Sequence, residues 1–450
     1  MMRNPVSPAA PSVDVTQRKL AVVIVMTTLI ALAIVIAALA IGGRPDPPAL
    51  RAAATLLDGN WHFHTGDDPR WVAPATDVAG WQTIDMTAAP GSHDGDVGLP
   101  DYVDGWAAHG HRGYHGYAWY RRAVAVPPGH ESWVILGPTL VEDGYELYWN
   151  GQLLGGSGRL GLHPRLVGTR PLLFALPADA AATGSVLAIR TYMLPRAQYD
   201  AAAGGMHSAP ILAPQPTGAA LHRAQWQRTI AGYIVDAIEP IAMLALVVLA
   251  LTCWRRSSHK GFLALACIAL ALTAERRLNN AIVSWTDLQS LGTYSWLATV
   301  MWVPTTAAWV LAWNRWCPRP WRSIDALAVM LAIVGIIGAL APSASMASVC
   351  RLGSLALFVA MVVRMVHRSP MRILALVTLA SIIAALFGSE LLDPIGVPGI
   401  WFPFGIGVSR TQYIYAIAIP LLAFLMARTL AFKEYATTSD AATLRQPVPS

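Results

Sequence analysis

Residues 20–41 read LAVVIVMTTLIALAIVIAALAI and carry no charge. Crossing about 30 Å of hydrocarbon takes roughly 20 apolar residues, so this stretch spans a bilayer unaided. Arg3, Arg18 and Lys19 precede it. A signal-peptide core is usually about 7–15 residues and ends at a small-residue cleavage site. The longer run reads as an uncleaved anchor (20–41) behind a cytoplasmic N-terminus (1–19), with cleavage at its Ala-rich end as the alternative.

Composition extends the membrane reading to the rest of the chain. Hydrophobic residues make up 55% of the 450, charged residues 13%, and mean hydropathy is +0.46; soluble chains carry about 25% charged residues. Apolar runs return after residue 225, near 229–253, 261–284, 291–313, 325–341, 347–366, 373–391 and 411–431. The formal charge of +6 lies in short loops between these runs, a distribution that fits membrane orientation and excludes a nucleic-acid partner. Arg255, Arg256 and Lys260 follow the first of the seven runs, and Arg315, Arg319 and Arg322 the third. Arg364, Arg368 and Arg372 surround the end of the fifth, and Arg428 and Lys433 end the seventh. The intervening loops, near 286–290, 342–346 and 392–410, are almost free of Lys and Arg apart from Arg410. Basic loops stay in the cytoplasm. One anchor plus seven helices (223–432) then leaves a cytoplasmic tail at 433–450 and puts residues 43–225 outside.

The outer segment has none of the four cysteines (Cys253, Cys267, Cys317, Cys350), so it must rely on an ordinary core. After a Pro-rich linker (42–54), residues 55–222 read as all-β. An aromatic, β-branched run from Tyr117 stops at Pro127-Pro128, and Trp133–Leu136 is a short apolar strand. Tyr145–Trp149 runs into Asn150-Gly151, the strongest short hairpin signal because both residues accept positive φ. Gln152–Leu154 returns, Gly155-Gly156-Ser157-Gly158 reads as a turn, and a later strand spans Val186–Tyr192. Short strands with frequent turns argue for a sandwich or jelly roll.

Gly116-Tyr-Ala-Trp-Tyr-Arg-Arg122, Val141-Glu-Asp-Gly-Tyr-Glu-Leu-Tyr-Trp-Asn-Gly151 and Gly59-Asn60-Trp61 together resemble the galactose-binding-like jelly roll of family 2 glycoside hydrolases, over about residues 55–195. A sandwich followed by seven spans in turn resembles the bacterial seven-transmembrane receptors with diverse intracellular signalling modules. That resemblance implies an outer domain binding carbohydrate or a related small ligand, and helices that pass the signal to a kinase, cyclase or phosphatase. Residues 433–450 hold no His-box, nucleotide loop or cyclase motif, so either a separate cytoplasmic protein reads the helices or an output domain has been lost.

The Gly-rich stretch Trp106–Tyr117 reads as a loop. Sugars offer C–H faces to aromatic rings and hydroxyls to polar partners, and Trp106, His111, Tyr114, Asp101 and Asp104 supply both; the alternative is a plain surface loop. His109, His111 and His115 have a spacing that suits Zn²⁺, and Asp94, Asp96, Asp101 and Asp104 offer oxygens to Ca²⁺, but neither set has a full signature. The expected cofactor is therefore none, with Ca²⁺ as the exception. The two carboxylates of glycoside cleavage sit on a barrel domain in family 2 enzymes, and Glu142, Asp143 and Glu146 read as structural. No Gly-x-Ser-x-Gly, Walker or His-Glu-x-x-His motif occurs, so the chain is expected not to be an enzyme.

Within the helices, Glu275-Arg276-Arg277 interrupts the second of the seven runs, with Asn279 and Asn280 after it. Charges at membrane depth are expensive and usually functional. Either the span ends near Ala274 and the cluster snorkels, or it continues through Ile282 and the charges face the bundle, with Asp236, Glu239, Glu390 and Asp393 as partners that couple domain to helices. Arg351 reads as interfacial. Residues 398–405 are either a re-entrant or an aromatic interfacial loop. Two functions fit: a sensor whose outer sandwich biases the helices for a cytoplasmic partner, or a membrane enzyme or transporter for envelope glycans that uses the sandwich as a tether.

Overall fold

The computed structural model describes residues 13–443 except 45, 96, 129–131, 162–163, 169, 179, 181–183, 196–200, 255–256, 258, 341–343 and 369–371. Arg3, Asp96, Arg255 and Arg256 lie outside the described residues.

Helix α1 (Val13–Gly42) carries the opening apolar run, and the linker behind it holds one short helix, α2 (Pro48–Ala52). The strands of the outer segment are β1 (Thr55–Leu56), β2 (Asn60–Thr65), β3 (Gln82–Asp85), β4 (Gly116–Ala123), β5 (Trp133–Leu136), β6 (Val141–Glu142), β7 (Gly144–Trp149), β8 (Gln152–Ser157), β9 (Leu173–Ala175), β10 (Val186–Met193), β11 (Gly205–Met206) and β12 (Ile211–Pro214). They form an antiparallel six-stranded sheet, β3-β2-β4-β10-β7-β8, a four-stranded sheet, β1-β12-β5-β9, and a small pair, β11-β6.

Side chains alternate across a strand, and that period builds the core. Trp61, Phe63, Tyr120, Leu147 and Ile189 of the larger sheet meet Ile135, Phe174 and Leu212 of the smaller one. The Asn150-Gly151 turn takes positive φ at both residues (48° and 87°). The turn expected at Gly155–Gly158 is corrected: β8 runs through Gly155 and Gly156 to Ser157. A bulge between Leu147 and Tyr148 brings β8 so close to β7 that a Cβ on Gly156 would lie 2.0 Å from the Tyr145 carbonyl. The glycines serve close strand packing.

Seven long helices follow in the order α3 (Gln215–Cys253), α4 (Lys260–Trp285), α5 (Leu291–Trp316), α6 (Arg322–Leu340), α7 (Ala344–Arg368), α8 (Arg372–Leu386) and, after the short α9 (Gly388–Leu391), α10 (Arg410–Thr443). Five described helices (α3, α5, α6, α7 and α10) are long and apolar enough to cross a membrane. The pair α8 and 388–395, bent by 97°, makes a sixth if it is one crossing. Helix α4, expected as a span at 261–284, is not among these, because Glu275, Arg276 and Arg277 fall inside it; it runs unbroken past Ala274 to Trp285. The chain thus joins a β-sheet unit to a set of long apolar helices, consistent with a membrane protein.

The sandwich also ends sooner than expected, at Pro214 rather than near 222. Helix α3 begins at once, with Pro216 in its first turn where a missing N–H costs nothing. Its 39 residues make a rod about 58 Å long. The early turns pack on the four-stranded sheet: a Cβ on Gly218 would lie 2.2 Å from Val134 Cγ2. Val134 and Leu136 thus face α3 while Ile135 faces the core, which explains why β5 is apolar throughout.

Candidate functional site

The outer face of the six-stranded sheet carries a row of polar and aromatic side chains. The register sets His64 beside Trp119, Trp119 beside Arg190, and Arg190 beside Glu146. Arg190 donates to both oxygens of Asp67 (2.8 and 2.6 Å) and to Glu146 Oε2 (3.0 Å). Tyr148 Oη also donates to Oε2 (2.7 Å), and Leu160 N to Oε1 (3.0 Å). The guanidinium lies 4.4 Å over the Tyr117 ring, a cation–π contact worth about 0.5–2 kcal/mol. Burial works against the charge of Arg190, but Asp67 and Glu146 outweigh it and hold the group above its ordinary range. Burial, then the Glu146 carboxylate, pushes the Tyr148 phenol up. Single charges in the apolar strands 144–149 and 186–193 were the sequence signal for this network, which pattern reading left unused.

Beside it, Trp71 and Trp81 meet edge-on (5.2 Å, 72°), with His64 4.6 and 5.4 Å from them. All three are partly exposed. The aromatic surface expected of Trp106 is therefore found here, from residues that sequence reading did not single out.

Trp106 itself is corrected to a core residue. It is fully buried against Phe63 and Tyr114, and Gly204 and Gly205 close over its ring. Tyr114 is committed to the backbone: it accepts from Gly66 N (2.9 Å) and donates to Tyr117 O (2.5 Å). His111 bonds Gln82 Oε1 (2.7 Å), and burial, then His109 and His64, pulls its imidazole below the ordinary value. Asp104 is exposed, and Asp101 faces Arg51 at 3.5 Å. Trp106, His111 and Tyr114 do come together, around Phe63. Among the described residues no three His, Cys, Asp or Glu side chains gather as metal ligands; Asp94 accepts from Gly98 N (2.9 Å) and Leu99 N (2.7 Å). Glu142 and Asp143 likewise accept from backbone, at Gly204 N (2.5 Å) and Leu194 N (2.8 Å).

The loop that Asp94 shapes is the place where the sandwich meets the helices. Val97 lies against Gly232 of α3, where an added Cβ would fall 2.4 Å from Val97 Cγ1. Gly407 N donates to Val97 O (3.2 Å), and the His93 and Phe402 rings are 4.3 Å apart. Arg228 of α3 donates to Gly98 O (2.8 Å) and Gly405 O (3.3 Å), tying loop, helix and hairpin into one joint. The 398–405 stretch belongs to that hairpin, β13 (Ile400–Trp401) with β14 (Val408–Ser409). A second seam lies at the α4–α5 loop, where Leu291 N donates to Leu166 O (2.9 Å) and Arg170 pairs with Asp287.

About two and three turns along α3 from Arg228, Asp236 and Glu239 pair with Arg277 of α4, the latter at 2.9 Å. Their side chains are 4%, 4% and 11% exposed. The expected Asp236–Glu239–Arg277 grouping is therefore present. Glu390 does not join it; it pairs with Arg351, whose guanidinium stacks 4.6 Å from the Trp302 ring, and Asp393 pairs with Arg410 (2.6 Å). Those partners stand on α7 and α10. Glu239 Oε1, Glu275 Oε2 and Arg276 Nε are buried and meet no partner among the described residues.

No protein-family model and no curated protein matches the chain. Solved structures do. A β-glucuronidase from Bacteroides uniformis is 20% identical over 35% of this chain and 17% of that one, with a TM-score of 0.25. A family 2 glycosyl hydrolase from Bacteroides cellulosilyticus is 16% identical over 36% and 20%, with a TM-score of 0.25. A β-glucuronidase from an uncultured Clostridium species is 16% identical over 36% and 29%, with a TM-score of 0.24. The chain spans less than a third of the length of each. These neighbours agree with the resemblance of the outer segment to the family 2 sandwich, over about a third of the chain; the receptor resemblance has no matching family model. They correct the expectation that the chain is not an enzyme: all three are glycoside hydrolases, and that expectation is withdrawn.

Proposed function

We propose that the chain is a multi-pass sensor of a bacterial inner membrane, with the sandwich in the periplasm and both ends in the cytoplasm. The sandwich takes a carbohydrate or another small ligand, and its movement against the outer helix ends is read by a separate cytoplasmic signalling protein. One observation carries this reading: α3 is a single helix whose first turns are packed on the four-stranded sheet and whose later turns hold Asp236 and Glu239 against Arg277. The turns that run from the sheet to Glu239 precede Pro240, the one place inside α3 where a ring removes a backbone hydrogen bond, so that segment tilts with the sandwich as one piece, and the loop of Val97 and Gly98 adds a second grip on it. Signalling further requires that the ligand favour one of two helix arrangements. In this topology the basic residues Lys260, Arg315, Arg319, Arg322 and Arg364 belong to the cytoplasmic side, where a partner would read them.

The test uses the full chain in nanodiscs, free of native cysteines, with one reporter cysteine at Arg372. Gly232→Leu, which prises Val97 from α3, should change the labelling rate there by about fivefold. An unchanged rate removes the coupling, and a reporter at residue 150 found in the cytosol removes the topology.

A further inference from the structure

Where the four-stranded sheet, the linker and the early turns of α3 converge, the structure holds a cleft of about 190 Å³. Apolar walls such as Leu221 alternate there with Asp46, Arg51, Asp101, Gln225 and Arg228. Two of these polar groups are incompletely matched. Gln225 Oε1 is shut from solvent without a partner among the described residues, and a buried acceptor left unmade costs about 1–3 kcal/mol. Arg228 commits Nη1 to the Gly98 and Gly405 carbonyls. Arg51 stands 3.5 Å from both Asp46 and Asp101, longer than the roughly 2.7–2.9 Å of a charge-assisted hydrogen bond, so it is held loosely by each.

We propose that this cleft binds a small carboxylate that also carries a hydroxyl or ammonium donor. The loosely paired guanidinium of Arg51, half exposed and with the Arg228 cation lining the same cleft, suits a carboxylate, which takes two parallel N–H bonds from one arginine. Gln225 Oε1 and the carboxylates of Asp46 and Asp101 accept from the ligand's donors. A neutral sugar leaves the guanidinium donors unanswered, and a dianion without donors faces two aspartates. A volume of 190 Å³ corresponds to about six waters of roughly 30 Å³ each. Packed at protein density that is about ten non-hydrogen atoms, the size of an amino acid or short hydroxy acid. The site deepens the sensor reading and rests on it for its consequence, since the ligand would bridge sandwich, linker and α3; binding itself does not depend on that reading.

The test is thermal unfolding and titration calorimetry of the full chain in nanodiscs. L-alanine and L-glutamate form the amino-acid arm, L-lactate and L-malate the hydroxy-acid arm, and glucose the neutral control. At least one arm should bind saturably and raise the melting temperature, which identifies the donor. Gln225→Leu or Arg51→Gln should weaken binding about tenfold. Ala54→Phe, which fills the cleft from the linker, should abolish binding and leave the ligand-free melting temperature unchanged. Failure of both arms, binding that survives Ala54→Phe, or equal stabilisation by glucose overturns the proposal. Binding with no change at the Arg372 reporter keeps the cleft and sinks the sensor; a response to Gly232→Leu without carboxylate binding does the reverse.

Discussion

On the outer face of the larger sheet, Arg190 faces Asp67 and Glu146, and both oxygens of Glu146 are occupied, by Arg190, Tyr148 and the Leu160 amide. Between α3 and α4, Arg277 faces Asp236 and Glu239, yet Glu239 Oε1 and the neighbouring Glu275 Oε2 and Arg276 Nε stand unpartnered among the described residues. Both networks place one arginine between two carboxylates. Removing a charge from water costs several kcal/mol per ion, offset only by close geometry and full hydrogen bonding. The sheet network meets that condition and holds a shape. The helix network does not, so a small shift of α3 against α4 changes its energy, and this is the property a coupling element needs.

The comparison can be broken in several ways. Arg190→Met strands the buried Glu146 carboxylate, while Asp67 at the exposed edge returns to water, and should cost about 3 kcal/mol, read as a fall in the unfolding transition followed by tryptophan fluorescence. A cost below about 1 kcal/mol would show that the sheet network is ornamental. Glu146→Gln should cost about 2–3 kcal/mol and Glu239→Gln less than about 1 kcal/mol, because only the first removes a fully bonded carboxylate. Equal costs would erase the distinction between the regions. Gly218→Leu forces a side chain into Val134 and should cost about 1–3 kcal/mol, with faster hydrogen exchange at β5; protected β5 amides would mean that sheet and rod are not in firm contact.

The smallest effect concerns pH. Burial, then the like charges of His109 and His64, lowers the His111 imidazole from 6.5. Above 6.5 this stability is present; as pH falls through the lowered value, the unfolded chain takes up a proton that the fold resists, and the contribution is lost. His111→Gln should flatten that slope in a series of melting curves. A slope identical to that of the parent would assign the dependence to another group.

The long apolar helices, the Asn150-Gly151 hairpin and the strands around Trp119, Trp149 and Arg190 were legible in the sequence. Each rests on near-neighbour physics: periodicity, turn conformations and the length needed to cross a bilayer. Pairing of Arg277 with Asp236 and Glu239 was also within reach, since buried charges in apolar runs need one another. Trp106 was misread because a Gly-rich loop gives no sign that Gly204 and Gly205, a hundred residues on, will close over the ring. For the same reason the sequence did not single out the partly exposed pair Trp71 and Trp81.

Local patterning therefore decided by itself that a β-sandwich precedes a set of apolar helices. Only the tertiary structure decided that α3 continues back onto the sandwich, that the 93–99 loop grips it, and that Arg228, Gln225 and Arg51 line one cleft. Those outcomes depend on which distant surfaces are complementary in shape and charge, and such choices have no period along the chain.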